Sequence, residues 1–440
     1  MAAHERFAFR SRDELLARAR ELGLVLPFVD DLEPLVGTVQ VAGRTLANRF
    51  AVLPMEAADG DGDGAPTELT ARRYRRFAAG GSGLIWFEAT AVAGVGRSNP
   101  HQLWISARTL DDFKRLVEGT RTAGRGTTGR DPLLVLQLTH SGRFAKPEGK
   151  PRPAIAHHSP HLDPLHDLPA DYPLITDEEL DRLQDDFVRA AELAAAAGFD
   201  VVDVKSCHGY LVSELLASHT RLGSRYGGSF ENRSRFLLQT VARVKDKVAG
   251  LVVTSRLSAA DFVPYPYGFG MDPQRPESTD LHEFKALAGA FAGLGTPLLL
   301  TSLGIPFWKP AYGRPFDVPV PGGKVPDEHP LEGVVRHLGV TAELQRGFPE
   351  LAVVGPGYSW LRQFFPHVAA AVVRAGDATL VGQGRGAFAY PDFARDLAER
   401  GGLNIYRVCT SCSRCSQLLR LGRPAGCVVR DSEVYKVPKD

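Results

Sequence analysis

The sequence predicts an α/β protein whose core is a closed (β/α)8 barrel, with a helical extension before it and a short cysteine-rich tail after it. Eight short apolar runs alternate with helix-like segments, which is the repeat expected of such a barrel. The runs are almost continuously apolar, as parallel strands covered by helices on both faces are. A doubly wound open sheet is the alternative, but no GxGxxG pattern follows a strand. The predicted strands are residues 49–55, 82–89, 132–138, 200–205, 251–257, 297–303, 351–357 and 378–384.

The segments between the strands carry helix signals. Thr176 and Glu179 form a capping-box pattern ahead of an apolar-periodic stretch that ends at Gly198, and Ser229 opens a similar segment. The predicted helices are residues 68–79, 110–122, 177–197, 229–248, 280–292, 359–375 and 391–400.

The chain divides into three parts by pattern. Residues 1–30 form the helical extension, residues 31–400 the barrel, and residues 401–440 the tail. A hairpin that turns at Ala42-Gly43 is predicted near the start of the barrel.

The composition is that of an ordinary globular protein, with 52 basic and 51 acidic residues among 440. This balance gives no electrostatic reason to expect nucleic acid or a membrane as partner. The first residues carry charges where a secretory signal needs an apolar core, so a cytoplasmic protein is expected. The uncharged segment 286–308 is broken by glycine and proline, and we interpret it as a helix end, a turn and a buried strand.

Chemically unusual residues close the predicted strands. Barrels build their sites at the carboxyl ends of the strands, so these residues are expected to meet in one pocket. Long segments at 140–175, 258–280 and 304–340 follow strands three, five and six and would form its walls. Each residue alone has an ordinary structural explanation, such as an ion pair at the rim. The strand-closing residues are Met55, Glu56, Glu88, Gln137, His140, Lys205, His208, Arg256 and Ser302.

Glycine-rich turns follow the last two strands, at residues 355–357 and 384–386. Such barrels commonly bind phosphate there, through backbone N–H groups. A phosphorylated ligand or cofactor is therefore expected.

Four of the five cysteines crowd into the tail, as Cys409, Cys412, Cys415 and Cys427. Four thiolates at this spacing suit either a structural zinc ion or an iron–sulfur cluster, and the spacing alone does not separate them. The fifth, Cys207, is predicted to be a buried structural thiol.

Several motifs together resemble the Old Yellow Enzyme group of NADH:flavin oxidoreductases. The matching stretches lie within residues 31–400 and include LANRFAVLPM, LQLTHSGR, DVVDVKSCHGYL, YGGSFENRSRF and GQGRGAF. The resemblance implies a barrel that holds FMN non-covalently at its carboxyl face. By motif position, the residues that would bind this cofactor are Pro54, Met55, Glu56, Ala89, Gln137, Arg256, Gly357, Gly384 and Arg385.

Within this set, the resemblance assigns places along the flavin. Arg256 would stand near the N1 and C2 carbonyl edge of the isoalloxazine. The phosphate would lie between Gly357 and the turn formed by Gly384 and Arg385, which agrees with the phosphate site expected from the glycine-rich turns.

The tail is similar to that of the iron–sulfur branch of this group, which includes 2,4-dienoyl-CoA reductase and trimethylamine dehydrogenase. This resemblance favours a [4Fe–4S] cluster on the four tail cysteines over zinc. Only 13 residues follow Cys427, whereas those relatives continue into dinucleotide-binding domains. Electrons are therefore expected from a separate molecule, either NAD(P)H or a small redox protein.

The motif after strand four implies the catalytic residues. Many relatives have His-x-x-His/Asn-x-Tyr, and this chain has Lys205, His208 and Tyr210 in those places. Lys205 and His208 would hold a substrate carbonyl oxygen while Tyr210 delivers a proton opposite the flavin hydride. Alternatively, Lys205 simply pairs with the carboxylate of Glu56, which stands where relatives usually have a small polar residue.

These implications predict an FMN-dependent oxidoreductase that reduces an activated C=C bond of a small, polar or acidic unsaturated carbonyl compound. The alternatives are an amine or alcohol dehydrogenase that passes electrons through the cluster, and a non-catalytic electron-transfer subunit. A homo-oligomer is among the expected assemblies.

Overall fold

The structure, a computed structural model, describes residues 3–438. Its centre is a closed barrel of eight parallel strands, and the pairing of the last strand with the first closes it. The predicted barrel is therefore confirmed, and the doubly wound sheet is wrong. A hairpin of β1 (Val39–Val41) and β2 (Arg44–Leu46) precedes the barrel strands. These are β3 (Phe50–Val52), β4 (Leu84–Ala91), β5 (Leu133–Thr139), β6 (Val201–Val204), β7 (Val252–Ser258), β8 (Leu298–Ser302), β9 (Ala352–Gly355) and β10 (Leu380–Gln383).

The helices surround the barrel, and the caps expected at Thr176 and Ser229 are confirmed. In residues 3–438, no helix is both long and apolar enough to cross a bilayer. In chain order, the helices are α1 (Arg12–Glu21), α2 (Glu33–Val36), α3 (Glu68–Ala79), α4 (Leu110–Thr128), α5 (Asp177–Ala197), α6 (Leu211–Leu216), α7 (Phe230–Lys247), α8 (His282–Gly293), α9 (Pro310–Gly313), α10 (Pro330–Gly347), α11 (Phe365–Arg374), α12 (Arg385–Ala389), α13 (Phe393–Arg400) and α14 (Arg414–Arg420).

Two helix predictions are corrected. The segment 304–340 is not a continuous loop, because α10 begins within it. The N-cap of α10 is unusual, because His329 Nδ1 accepts the N–H of Leu331. A hydroxyl or carboxylate usually has this role, so the cap position shows none of the residues that predict a helix start. The helix predicted over 359–375 starts as a 3-10 turn, and Arg362 interrupts it with a φ of 49°.

The hairpin seals the amino-terminal end of the barrel. Its turn at Ala42 and Gly43 has positive φ at both residues, as a tight two-residue hairpin loop requires, so this prediction is confirmed. Val41 and Leu46 pack with barrel-interior side chains at the starts of the strands, such as Leu84. The opposite, carboxyl-terminal end is the one that remains open to ligands.

Several contacts anchor the tail on the barrel, among them one at α3 and one near α9. Asp431 forms ion pairs with Arg72 and Arg76 of α3, at 2.9 and 2.5 Å. Near α9, Ser416 Oγ on α14 accepts a hydrogen bond from Arg314, the residue that follows this helix. These contacts bring the cysteine segment close to the carboxyl rim of the barrel.

Candidate active site

A cavity of about 230 Å³ opens at the carboxyl ends of the barrel strands. Every residue predicted to bind the cofactor or to act in catalysis lines it, with the exception of Ala89. The barrel brings these residues from six strand ends to one rim. They are Pro54, Met55, Glu56, Gln137, Lys205, His208, Tyr210, Arg256, Gly357, Gly384 and Arg385.

Ala89 lies outside the lining of this cavity. The register between β4 and β5 shifts between Phe87 and Thr90, so β4 is irregular where Ala89 stands. The Ala89 carbonyl accepts a hydrogen bond from Gln102 Nε2 at 2.9 Å. The expected place of Ala89 beside the flavin stays a prediction, and an irregularity of this kind leaves no mark in the apolar pattern of a strand.

Lys205, Tyr210 and Glu56 form one hydrogen-bonded group on the cavity wall. Tyr210 Oη donates to Glu56 Oε1 at 2.8 Å, and Lys205 Nζ donates to the same oxygen at 3.2 Å. The ammonium also lies 3.5 Å from the centre of the Tyr210 ring, in a cation–π contact. The side chains of Lys205 and Glu56 are only 2% and 12% exposed. The alternative in which Lys205 pairs with Glu56 is thus what the structure contains, although Lys205 still lines the cavity.

This group keeps Tyr210 protonated. Burial raises the pKa of Tyr210 well above its usual value, and the adjacent Glu56 carboxylate raises it further. Ser98 Oγ donates to the second carboxylate oxygen, Glu56 Oε2, at 3.0 Å. Ser98 was not anticipated from the sequence, because it lies in a loop after β4 with no motif around it.

His208 occupies the turn after β6 with a left-handed φ of 69°. Burial lowers the pKa of His208 well below its usual value, and the charges of Arg256 and Lys205 lower it further. The imidazole is therefore neutral, and it carries one N–H donor. Its Nε2 lies 3.3 Å from Ser302 Oγ, so a proton on Nδ1 would leave that nitrogen as the free donor.

Asp203 fixes the floor of the cavity. Its Oδ2 accepts from Gln137 Nε2 at 2.5 Å and from Trp86 Nε1 at 2.8 Å, and its Oδ1 accepts the backbone N–H of Arg256 at 2.8 Å. Burial raises the pKa of Asp203 to about 6, although these donors oppose the shift. One buried carboxylate thus orients two of the residues that line the site.

Glu88 has a structural place beside the cavity. Its carboxylate accepts from Arg73 Nη2 at 2.6 Å and from the backbone N–H of Ala57 at 2.9 Å. Burial raises its pKa to about 7. The contact with Ala57 shapes the loop that carries Glu56 to the rim.

Positive charge dominates the cavity. Lys205 and four arginines line it, and Glu56 is the single lining carboxylate. Within residues 3–438, none of the four guanidinium groups lies within 4.0 Å of a carboxylate. Three of their nitrogen atoms, Arg256 Nε, Arg314 Nε and Arg385 Nη1, are buried without a protein hydrogen-bond partner. The four arginines are Arg256, Arg314, Arg385 and Arg420.

A glycine is required at the turn after β9. Gly357 has a φ of 103°, and a Cβ atom there would lie 2.7 Å from Cβ of His337. The bare backbone can therefore approach a ligand at the point where the phosphate was expected.

The four tail cysteines line a second cavity together with Arg385 and Phe388. Burial raises the pKa of Cys409 to about 11 and also raises that of Cys427. Across the described chain, no three His, Cys, Asp or Glu side chains are grouped closely enough to hold a single metal ion. Cys207 lies elsewhere, fully buried, with its pKa raised to about 11 by burial, as expected of a structural thiol.

The fold and the cavity define a (β/α)8 barrel protein with a cation-rich site at the carboxyl ends of its strands. The model of the NADH:flavin oxidoreductase / NADH oxidase family matches residues 35–271, and the chain belongs to this family. This match confirms the family expected from the sequence motifs, and the family binds FMN.

The chain is similar in sequence to a curated protein and in fold to two solved structures. NADPH dehydrogenase of Bacillus licheniformis is 34% identical over 226 residues, which are 50% of this chain and 62% of that protein. The complex of 2-naphthoyl-CoA reductase with 2-naphthoyl-CoA superimposes with a TM-score of 0.71 at 20% identity, over 91% of this chain and 57% of that one. The 6-hydroxypseudooxynicotine amine oxidase of Pseudomonas geniculata N1 gives 0.69 at 19% identity, over 94% and 57%. At these identities the two structures establish the fold alone.

Acid should destabilise the segment after β5 through His140. Burial lowers the pKa of His140 from 6.5 to about 4, and its Nδ1 accepts the N–H of Gly142 at 3.1 Å. The unfolded chain takes up this proton at a higher pH than the folded protein. Neutral His140 therefore makes its full contribution to the free energy of unfolding above pH 6.5. As the pH falls this contribution is lost, and the free energy of unfolding is lower by roughly 3 kcal/mol at pH 4.

We expect His140→Asn, which retains an acceptor for Gly142, to flatten this loss in urea unfolding measured at several pH values. His282→Asn, at an exposed helix start, is the control and should keep the wild-type pH dependence. An unchanged pH dependence in H140N would contradict the assignment.

Proposed function

We propose that the protein is an FMN-dependent oxidoreductase that moves hydride between flavin N5 and a substrate carbon, with reduction of an activated C=C bond as its favoured reaction. The observation that carries this proposal is the convergence of Tyr210, His208 and Lys205 on one cavity with Arg256. A proton donor, a neutral N–H donor and a cation are the groups that addition of hydride to an unsaturated carbonyl compound requires.

The residues present fit FMN. Arg256 Nε is buried and without a protein partner, which suits an acceptor at the pyrimidine edge of the flavin. Arg385 Nη1 is also buried without a protein partner, and Arg385 lines the cavity together with Gly357 and Gly384, where the phosphate is expected. Pro54, Met55, Glu56 and Gln137 would line the ring system between these ends. When bound, the flavin supplies or accepts the hydride.

The side chains of the cavity have separable roles in reduction. His208 would donate its N–H to the carbonyl oxygen of the substrate, and the ammonium of Lys205 would add positive charge near that oxygen. Tyr210 Oη would give its proton to the α carbon. The pair of Lys205 with Glu56 holds the ammonium in place without preventing this role, because an ammonium has three donor hydrogens.

The substrate class follows from the walls of the cavity. Besides the arginines assigned to the flavin, Lys205 and Arg420 line the cavity, and their charges favour a substrate that carries a carboxylate or another anionic group. Phe307 at the mouth stacks on Phe144 at 4.6 Å between ring centres, and Phe144 lies 6.0 Å from Tyr210. This aromatic wall suits a flat, conjugated acceptor. Polar or acidic unsaturated carbonyl compounds combine both properties.

We further propose that Cys409, Cys412, Cys415 and Cys427 bind a [4Fe–4S] cluster. In support, the four cysteines line one cavity, as the thiolate ligands of one cluster would. Arg385 lines both cavities, so one side chain separates the proposed flavin from the proposed cluster.

The electron donor is proposed to be NAD(P)H, bound over the flavin, or a small redox protein that contacts the tail. The name of the curated relative, NADPH dehydrogenase, favours the nucleotide. A donor bound at the tail would lie beside the cysteine cavity, which shares Arg385 with the lining of the larger cavity.

A second candidate is the oxidative direction, in which an amine or alcohol is dehydrogenated. One observation favours it: the proton of Tyr210 points to Glu56 Oε1 at 2.8 Å, so the tyrosine oxygen offers a lone pair to the cavity. The substrate carbon would lose hydride to the flavin, its N–H or O–H proton would pass to Tyr210, and the tyrosine proton would pass to Glu56. All atoms and both electrons are accounted for by the flavin and the carboxylate.

Replacement of Tyr210 tests the favoured reaction. We expect Tyr210→Phe to slow reoxidation of the reduced flavin by an acidic unsaturated carbonyl compound about a hundredfold or more, because the general acid is lost. Flavin reduction by NAD(P)H should be largely unchanged, as anaerobic stopped-flow absorbance would establish. Tyr172→Phe removes a hydroxyl that bonds only the Pro153 carbonyl and is the control. Failure of every unsaturated carbonyl compound to reoxidise the wild-type protein would sink the reductase proposal.

Replacement of Glu56 separates the two directions. If Tyr210 passes protons to Glu56, Glu56→Gln should slow flavin reduction by amines or alcohols at least about tenfold and remove its solvent isotope effect. The double variant K205M/E56Q leaves no buried ammonium without its carboxylate partner. It should slow flavin reduction by amines or alcohols as E56Q does. Ser98→Ala keeps the carboxylate and should retain activity. Equal rates in E56Q and wild type would exclude the oxidative relay.

The tail is tested by its metal content. Protein purified without oxygen should contain about four iron and four sulfide per chain, as expected of a [4Fe–4S] cluster. It should lose this content and the associated visible absorbance in Cys412→Ser, while Cys207→Ser retains both. Stoichiometric zinc in place of iron would overturn the cluster.

A further inference from the structure

Two arginine side chains, each with a buried nitrogen atom that has no protein partner, line the same cavity. Arg385, the first residue of α12, is 7% exposed, and its Nη1 has no protein partner. Arg314 follows α9, and its Nε is likewise buried without a partner. Arg385 Nη2 donates to the Pro315 carbonyl at 2.7 Å, so the backbone next to Arg314 also supports Arg385. Both line the same cavity as Gly357 and Gly384.

In the described residues, neither guanidinium group forms an ion pair with a carboxylate. Burial lowers the pKa of Arg314, and the charge of Arg385 lowers it further because the two groups repel each other; only Cys415 opposes this shift. Taking like charges out of water without a counterion is strongly unfavourable. An anion therefore belongs between them.

The chemistry of that anion follows from the donors. Two planar guanidinium forks match the oxygen atoms of a phosphate group, and a phosphate monoester carries the two negative charges that two arginines neutralise. A carboxylate would satisfy only one of them. The bare backbone at Gly357 allows the same group to approach N–H donors closely.

We propose that Arg314 and Arg385 form a two-guanidinium site for a phosphate monoester, and that Arg314 is positioned in it by the cysteine-rich tail through Ser416. Ser416 Oγ accepts the hydrogen bond of Arg314 Nη1, and Ser416 directly follows Cys415. The inference rests on the proposed FMN cofactor, whose phosphate is the ligand. It adds to that proposal a second arginine from the loop after β8 and a link between flavin binding and the tail.

The test compares two flavins that differ only in the phosphate. Full-length protein freed of flavin is titrated with FMN and with riboflavin, following the quenching of flavin fluorescence. We expect Arg314→Gln to weaken FMN about ten- to a hundredfold, the loss of one charge-assisted contact, and to leave riboflavin unchanged. Ser416→Ala should weaken FMN by a smaller factor, again without effect on riboflavin.

The control is Arg423→Gln, an exposed tail arginine that does not line the cavity and should change neither affinity. Inorganic phosphate should compete with FMN but not with riboflavin in the wild type, and less effectively in R314Q. Equal effects of R314Q on both flavins, or no effect on either, would overturn the two-arginine site while leaving FMN as the cofactor. Failure of the wild type to bind either flavin would instead overturn the proposed cofactor, and this inference with it.

Discussion

The pairing of β10 with β3 is the constraint on which the site depends. Closure of the sheet forces all eight carboxyl ends onto one rim, so Glu56 and Lys205, 149 positions apart, can share a hydrogen bond inside the protein. In an open sheet the same strand ends would lie along a line, and the first and last would be at opposite edges. The loop that carries Glu56 is then held in place by Glu88 and Arg73, which are buried next to it.

Charge is distributed unequally around this rim. Lys205 has its carboxylate, and the pair is stable because neither member is left alone in a medium where an unpaired ion is costly. In residues 3–438 the four cavity arginines pair with no carboxylate, and three of their buried nitrogen atoms have no protein partner. The folded protein therefore keeps one part of its site complete and leaves the other part dependent on what it binds. Ligand binding should accordingly raise the stability of the fold.

Much of this could be read from the sequence, because strands buried on both faces leave long apolar runs and the residues that close them are chemically conspicuous. The places that escaped prediction have local physical causes. Ala89 lies at an irregularity in strand pairing, which a side-chain pattern does not record. The start of α10 is capped by His329, a residue that seldom serves in this role. Arg314, Ser98 and Ser416 come from loops and the tail, and only the folding of distant segments brings them to the cavity.

The hairpin of β1 and β2 has a kinetic consequence. Because Val41 and Leu46 close the amino-terminal end, the cavity opens at the carboxyl-terminal end, where Phe307 and residues of the tail helix line it. Under the proposed function, a nicotinamide donor and an oxidising substrate would both need the same flavin face and could not occupy the cavity together. Product would leave before the next reactant enters, so turnover would take a ping-pong form, and each reactant at high concentration would act as a competitive inhibitor of the other.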